Sequence, residues 1–219
     1  MTDKIENILF DLDGTLTNPK EGIVNSILYA LNKMGIEENS PHELDSFIGP
    51  PLRESFQMRY NLSDKASEEI VVAYREYFST KGLYENKLYD GITELLESLH
   101  AQKYKLFVAT SKPTVYSEQI LEHFKLKKYF TEIIGSNVDN TRTDKTEIIA
   151  LVVSSHALQA SKSIMVGDTK FDMIGAKNNA IKTIGVTYGY GSFEELSFHQ
   201  PDFIVNTCGE IKSIINRGS

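Results

Sequence analysis

The sequence predicts an α/β fold: a Rossmann-like parallel sheet core with an all-helical cap domain inserted into it. Three observations carry this. Short runs such as Ile8-Leu9-Phe10, Leu106-Phe107-Val108 and Ile164-Met165-Val166 are apolar at every position, which marks strands buried on both faces of a parallel sheet. From Leu88 onward such runs alternate with segments of helical spacing, the pattern of a sheet covered by helices. Between the first strand and that region, residues 17 to about 85 show helical spacing and no strand pattern. The chain therefore reads as a core at 1–16 and 86–219 with a cap at 17–85, without repeats or low-complexity segments.

In order, Ile8-Leu9-Phe10 is the first strand and Gly14 the turn that ends it. Thr17-Asn18-Pro19-Lys20 is a turn or hinge. Glu21 to Met34 carries Ile23, Ile27, Leu28, Ala30 and Leu31 at helical spacing, and Gly35 is its stop. A second helix is expected after Ser40-Pro41, with Leu44, Phe47 and Ile48 on one side, until Gly49-Pro50-Pro51 breaks it. Leu52 to Phe56 starts another. Ser63 can cap a helix running to about Thr80. Tyr74, Tyr77, Phe78 and Tyr84 are expected to line the cap core, with a second hinge near Tyr84-Glu85-Asn86. Beyond Asp90-Gly91 come a helix with Ile92, Leu95, Leu96 and Leu99, a strand from Tyr104 to Ala109, and a helix with Ile120, Leu121 and Phe124. Then follow a strand at Ile133-Ile134, a helix from Asp144 to Leu158, a strand at Ile164 to Val166, a helix from Met173 to Asn179, strands at Thr183 to Val186 and Phe203 to Val205, and a last helix over Ile211 to Ile215.

Composition narrows the function. With 219 residues, 41% hydrophobic and 24% charged, the chain can build a real core. A net charge of −7 argues against nucleic acid or an anionic membrane as the main partner. No apolar run approaches the ~20 residues of a membrane helix, and the charged start Met1-Thr2-Asp3-Lys4 has no signal-peptide core. Cys208 is the single cysteine, which suits a reducing, cytoplasmic setting. The five histidines are scattered without zinc spacing. There is no Gly-x-Ser-x-Gly elbow and no phosphate-loop lysine motif, and Gly189-Tyr190-Gly191 lacks the third glycine of a dinucleotide fingerprint.

Polar residues stand where strands end. The first strand ends in Asp11 and Asp13, the second in Thr110 and Ser111, the third leads to Lys145, and the fourth ends in Asp168 with Asp172 four residues on. Parallel strands bring these ends to one edge, where α/β sheets bind ligands. A pair of acids there is costly unless the chain kinks or a cation intervenes. The oxygen-rich, histidine-free cluster suits Mg²⁺. A metal, a lysine and a free carboxylate together can carry phosphoryl transfer.

Asp11-Leu12-Asp13-Gly14-Thr15, Thr110, Lys145 and Gly167-Asp168-Thr169-Lys170-Phe171-Asp172 resemble, in order and spacing, the four motifs of the haloacid dehalogenase superfamily. The helical insert resembles the small cap of its phosphoglycolate-phosphatase-like branch. The stretches Phe47-Ile48-Gly49-Pro50-Pro51-Leu52, Val108-Ala109-Thr110-Ser111-Lys112-Pro113 and Gly189-Tyr190-Gly191-Ser192 also resemble that branch.

The resemblance implies that Asp11 is a nucleophile forming an aspartyl-phosphate. Asp13 would then protonate the leaving alcohol and activate water. Mg²⁺ would be held by Asp11, the main-chain carbonyl of Asp13, and Asp168. Thr110 and the amides around Leu12 and Ser111 would bind phosphate oxygens, Lys145 would add positive charge, and Asp172 would orient Lys145 or a water. In the cap, Gly49 to Arg53 would face the substrate, with Arg53 as a contact. Plainer readings exist: Thr110 and Asp172 as helix caps, Lys145 as a solvated lysine, Arg53 and Arg142 as surface residues. The expected activity is phosphatase action on a small phosphorylated metabolite, phosphoglycolate or a nucleoside monophosphate, by a monomer or weak homodimer. The alternatives are a phosphomutase acting on sugar phosphates and a catalytically silent binding or regulatory protein.

Overall fold

The computed structural model describes residues 4–139 and 141–217. Met1 to Asp3, in the charged start, and Asn140, in the loop leading to Lys145, lie outside them. The chain divides into two compact units, one from Asn18 to Lys87 and one made of the chain before and after it.

Strand β1 (Asn7–Phe10) is wholly buried. The kink expected at Gly14 is present: its φ is +83°, and the amides of Thr15, Leu16 and Thr17 all donate to the Leu12 carbonyl. Thr17–Asn18, read as a hinge inside an all-helical stretch, is instead a short strand, β2, which pairs with β3 (Lys87–Leu88) in a two-stranded sheet. Two-residue strands leave no periodicity to read.

The helical unit holds α1 (Lys20–Lys33), α2 (Leu52–Tyr60) and α3 (Asp64–Tyr77). Ser63 caps α3 by accepting from the Ala66 amide. The α-helix stops three residues short of Thr80 and widens into a π-helical turn over Phe78–Gly82. The helix expected after Ser40-Pro41 is a 3₁₀ segment, Pro41–Phe47. It is too short before Gly49-Pro50-Pro51 to need α geometry, and it still buries Leu44, Phe47 and Ile48. Tyr74 and Phe78 stack at 5.4 Å in the core of this unit. Tyr84, expected beside them, is exposed at 46%. It lies past the π turn, off the stripe that α3 presents inward.

The other unit continues with α4 (Ile92–Ala101), β4 (Lys105–Pro113), α5 (Thr114–His123), β5 (Glu132–Ser136), α6 (Lys145–Ser155), β6 (Ser163–Gly167), α7 (Lys170–Asn178), β7 (Lys182–Val186), α8 (Phe193–Phe198), β8 (Phe203–Val205) and α9 (Cys208–Arg217). Its sheet has the order β5-β4-β1-β6-β7-β8, and every neighbouring pair is parallel. Leu9, Phe107, Ala109, Ile134, Met165, Ile148, Ile149 and Val152 form one packed cluster between the sheet and α6. Full burial of each large side chain there contributes about 1.5–3 kcal/mol.

Strand β4 was expected to end at Ala109, yet it runs on to Pro113 through a register shift. Its tail lies so close to β5 that a Cβ on Gly135 would sit 2.1 Å from the Lys112 carbonyl oxygen. Helix α8, capped by Ser192, was not anticipated. Its six residues are too few for a periodic signal. Among the described residues no helix is long and apolar enough to cross a membrane.

Because β1 lies between β4 and β6, the chain leaves it in both directions. Ligands of open α/β sheets bind in the crevice at such a reversal, outside the carboxyl ends of the strands.

Candidate active site

Asp11 follows the last residue of β1 and is tied to β6 by its amide, which donates to the Val166 carbonyl at 2.9 Å. Its Oδ1 accepts from the Leu12 amide at 2.7 Å and pairs with Lys145 Nζ at 2.9 Å. Lys145 is the first residue of α6, directly after the capping residue Asp144. Its ammonium also lies 2.9 Å from Asp172 Oδ1 and donates to the Ala109 carbonyl at 3.0 Å. Burial works against this charge, but Asp11 and Asp172 outweigh it and hold the lysine above its ordinary pKa. It is not a solvated lysine.

Asp172 has two tasks. Its Oδ2 accepts from the Thr169 amide and hydroxyl at the start of α7, and its Oδ1 faces Lys145. The N-cap of α7 is Thr169, and Asp172, the third helical residue, returns a bond to it while its other oxygen lies beside Lys145. Asp168, at the end of β6, is fully buried. Its Oδ1 accepts from Thr15 Oγ1 at 3.1 Å and its Oδ2 from the Tyr190 amide at 2.8 Å. Burial, then repulsion from Asp172 and Asp11, lifts its carboxyl well above the usual range.

Asp13 does not share this pocket of charge with its side chain. It pairs with Lys112, from the tail of β4. Its Oδ1 is buried with no hydrogen-bond partner among the described residues. Burial raises its pKa, and Lys112 opposes that rise. Thr110 is buried in β4, and its Oγ1 accepts from the Lys112 amide at 3.3 Å. Ser111 is partly exposed and donates to the Thr143 carbonyl at 3.3 Å. Arg142 donates to the Gly135 carbonyl and so anchors the end of β5. Arg53 belongs to the helical unit, where it pairs with Asp64 and Glu68 and donates to Ser67.

The structure thus gathers Asp11, Asp168, Asp172 and Lys145, with Thr110, Asp13 and Lys112 on the adjoining strand ends. Lys112, Thr15 and the Tyr190 amide were not assigned from sequence. Lys112 stood in a noted motif, but its target is 99 residues away in the chain. A main-chain amide leaves no mark on residue type.

Oxygens of Asp11, Asp168 and Asp172 lie within 4.8 Å of one another, all buried. Three carboxylates, Asp11, Asp168 and Asp172, face the one ammonium of Lys145 here, so two negative charges are in excess when all are ionised. A set of hard oxygen donors with a charge deficit of two fits a divalent cation such as Mg²⁺.

The chain matches the family described as haloacid dehalogenase-like hydrolase over residues 8–186. It is 48% identical over 208 residues to a 5'-nucleotidase of Pseudomonas aeruginosa, covering 95% of this chain and 93% of that one. It is 36% identical over 184 residues to the tyrosine-protein kinase PtkA of Mycobacterium tuberculosis, covering 84% of this chain and 62% of that one. Among solved structures, that of a predicted phosphatase from Clostridium acetobutylicum aligns with a TM-score of 0.92 and 45% identity, over 98% of this chain and 100% of that one.

Proposed function

Because this chain belongs to the haloacid dehalogenase-like hydrolase family, we propose that it is a Mg²⁺-dependent phosphatase of small phosphomonoesters, nucleoside 5'-monophosphates first among them. That it is a phosphatase agrees with the names of its relatives. The choice of nucleotide is supported by the 48% identity to a 5'-nucleotidase. The single observation that carries the mechanism is the arrangement of Asp11. It is a carboxylate at a strand end, with one oxygen held by Lys145 and the Leu12 amide, beside the buried Asp168.

Asp11 attacks phosphorus with a carboxylate oxygen, forming an acyl phosphate as the bond to the leaving alcohol breaks. Asp13 gives its proton to that alcohol oxygen. Burial raises its pKa against the pull of Lys112, a shift in the direction a general acid needs. In the second step Asp13 takes a proton from water. The water oxygen bonds to phosphorus, and the Asp11 carboxylate is released with phosphate. Lys145 orients Asp11, and it offers charge to the phosphoryl oxygens as they gain negative charge. Thr110 and Ser111 lie at the end of β4, where their hydroxyls and amides can take phosphate oxygens. Asp11, Asp168 and the Asp13 carbonyl would hold Mg²⁺, with Asp172 supporting, and the bound ion would supply the positive charge that lets an anionic nucleophile approach an anionic ester.

Phosphate release is the test. Nucleoside 5'-monophosphates, phosphoglycolate and sugar phosphates are offered with Mg²⁺ or with EDTA. Release that requires Mg²⁺ and is fastest on a nucleoside monophosphate is expected. No release from any ester would overturn the reading.

A further inference from the structure

The stretch Tyr188-Gly189-Tyr190-Gly191 just beyond β7 carries none of the chemistry above, yet it closes around Asp168. The Tyr190 amide donates to Asp168 Oδ2 at 2.8 Å. A Cβ on Gly189 would lie 2.4 Å from that oxygen and 2.4 Å from the Gly14 carbonyl oxygen, so only glycine lets this backbone approach both the Asp168 side chain and the Gly14 backbone. Tyr188 acts on the other oxygen at one remove. Its hydroxyl donates to the Thr15 carbonyl at 3.1 Å, and Thr15 Oγ1 donates to Asp168 Oδ1. A hydroxyl has one proton to give. With that proton on Thr15, Tyr188 accepts from Cys208 Sγ at 3.6 Å. The ring of Tyr89 packs on Tyr188 at 4.8 Å between centroids.

We propose that Tyr188, Gly189 and Tyr190 form a positioning loop that fixes both oxygens of Asp168 for a divalent cation, so that metal affinity is set partly from this loop. The proposal rests on the metal reading above. Residues that orient a metal ligand commonly change affinity by about 10–100-fold when altered. Tyr188→Phe removes one hydroxyl and no volume. Gly189→Ala places a methyl group on Asp168.

The test is calorimetric titration of the full chain with MgCl₂, together with melting curves in EDTA and in Mg²⁺. For Tyr188→Phe we expect roughly tenfold weaker Mg²⁺ binding, a melting point in EDTA close to wild type, and a smaller gain on adding Mg²⁺. Gly189→Ala should lose at least as much affinity. Wild-type Mg²⁺ affinity in Tyr188→Phe overturns the proposal, whatever Gly189→Ala does. So does a melting point lowered equally in EDTA and in Mg²⁺ with affinity unchanged, which is a purely structural role. If the wild-type chain itself takes up no Mg²⁺, the metal reading falls first and this proposal falls with it.

Discussion

Lys145 Nζ stands 2.9 Å from Asp11 Oδ1 and 2.9 Å from Asp172 Oδ1. One buried cation thus links the proposed nucleophile to Asp172 in the first turn of α7. Lys145→Ala would leave two buried carboxylates without their counter-charge. Breaking a buried pair this way costs about 3–5 kcal/mol. Urea unfolding in EDTA should show that loss, and turnover in Mg²⁺ should fall by roughly 10²–10³. Wild-type stability and turnover in this variant would show that the lysine serves neither purpose.

Asp13 and Lys112 form a second pair, apart from the first. If Asp13 delivers the proton to the leaving oxygen, its removal matters most for alcohols that leave poorly. Asp13→Asn should slow an alkyl phosphate by roughly 10²–10⁴ and an aryl phosphate with an acidic phenol far less. The measurement is initial rates on both ester types. Equal losses on the two would remove Asp13 from the proton-transfer role.

In the helical unit, Glu38 accepts from Arg59 at 2.9 and 3.0 Å and from the Tyr60 hydroxyl. Arg59 first, and Tyr60 with it, hold the Glu38 pKa down to about 2, against an ordinary 4.5. A carboxylate depressed on folding contributes stability that is fully present above its unfolded pKa and is lost as pH falls through the folded one. The stabilisation from Glu38 should therefore fade between pH 4.5 and about 2. Melting points of the wild type and Glu38→Gln should differ at pH 6 and converge toward pH 2. A constant gap across that range would contradict the assignment.

Much of the core was legible in the sequence because buried parallel strands are apolar throughout and the polar residues begin where they stop. Asp11, Thr110 and Asp168 each follow or end such a run, so their meeting at one edge follows from parallel pairing. Lys145 was placed by its helix start. Lys112 and Tyr188 were not legible as parts of the site. The first reaches Asp13 only because β4 continues past Ala109. The second acts through a hydroxyl on a carbonyl 173 residues away. Long-range contacts of this kind leave no spacing to read. The elements β2, β3 and α8, of two, two and six residues, were missed because each spans less than two periods of its own pattern.

The claim on which the account depends is that Asp11 becomes phosphorylated during turnover. Enzyme quenched with acid in mid-turnover, digested and read by mass spectrometry tests this directly. The account predicts one phosphoryl group on the peptide containing Asp11 in the wild type. It predicts none in Asp11→Asn, which should fold normally and lose nearly all turnover. A wild-type enzyme that turns over with that peptide unmodified, or an Asp11→Asn variant with normal activity, would contradict it.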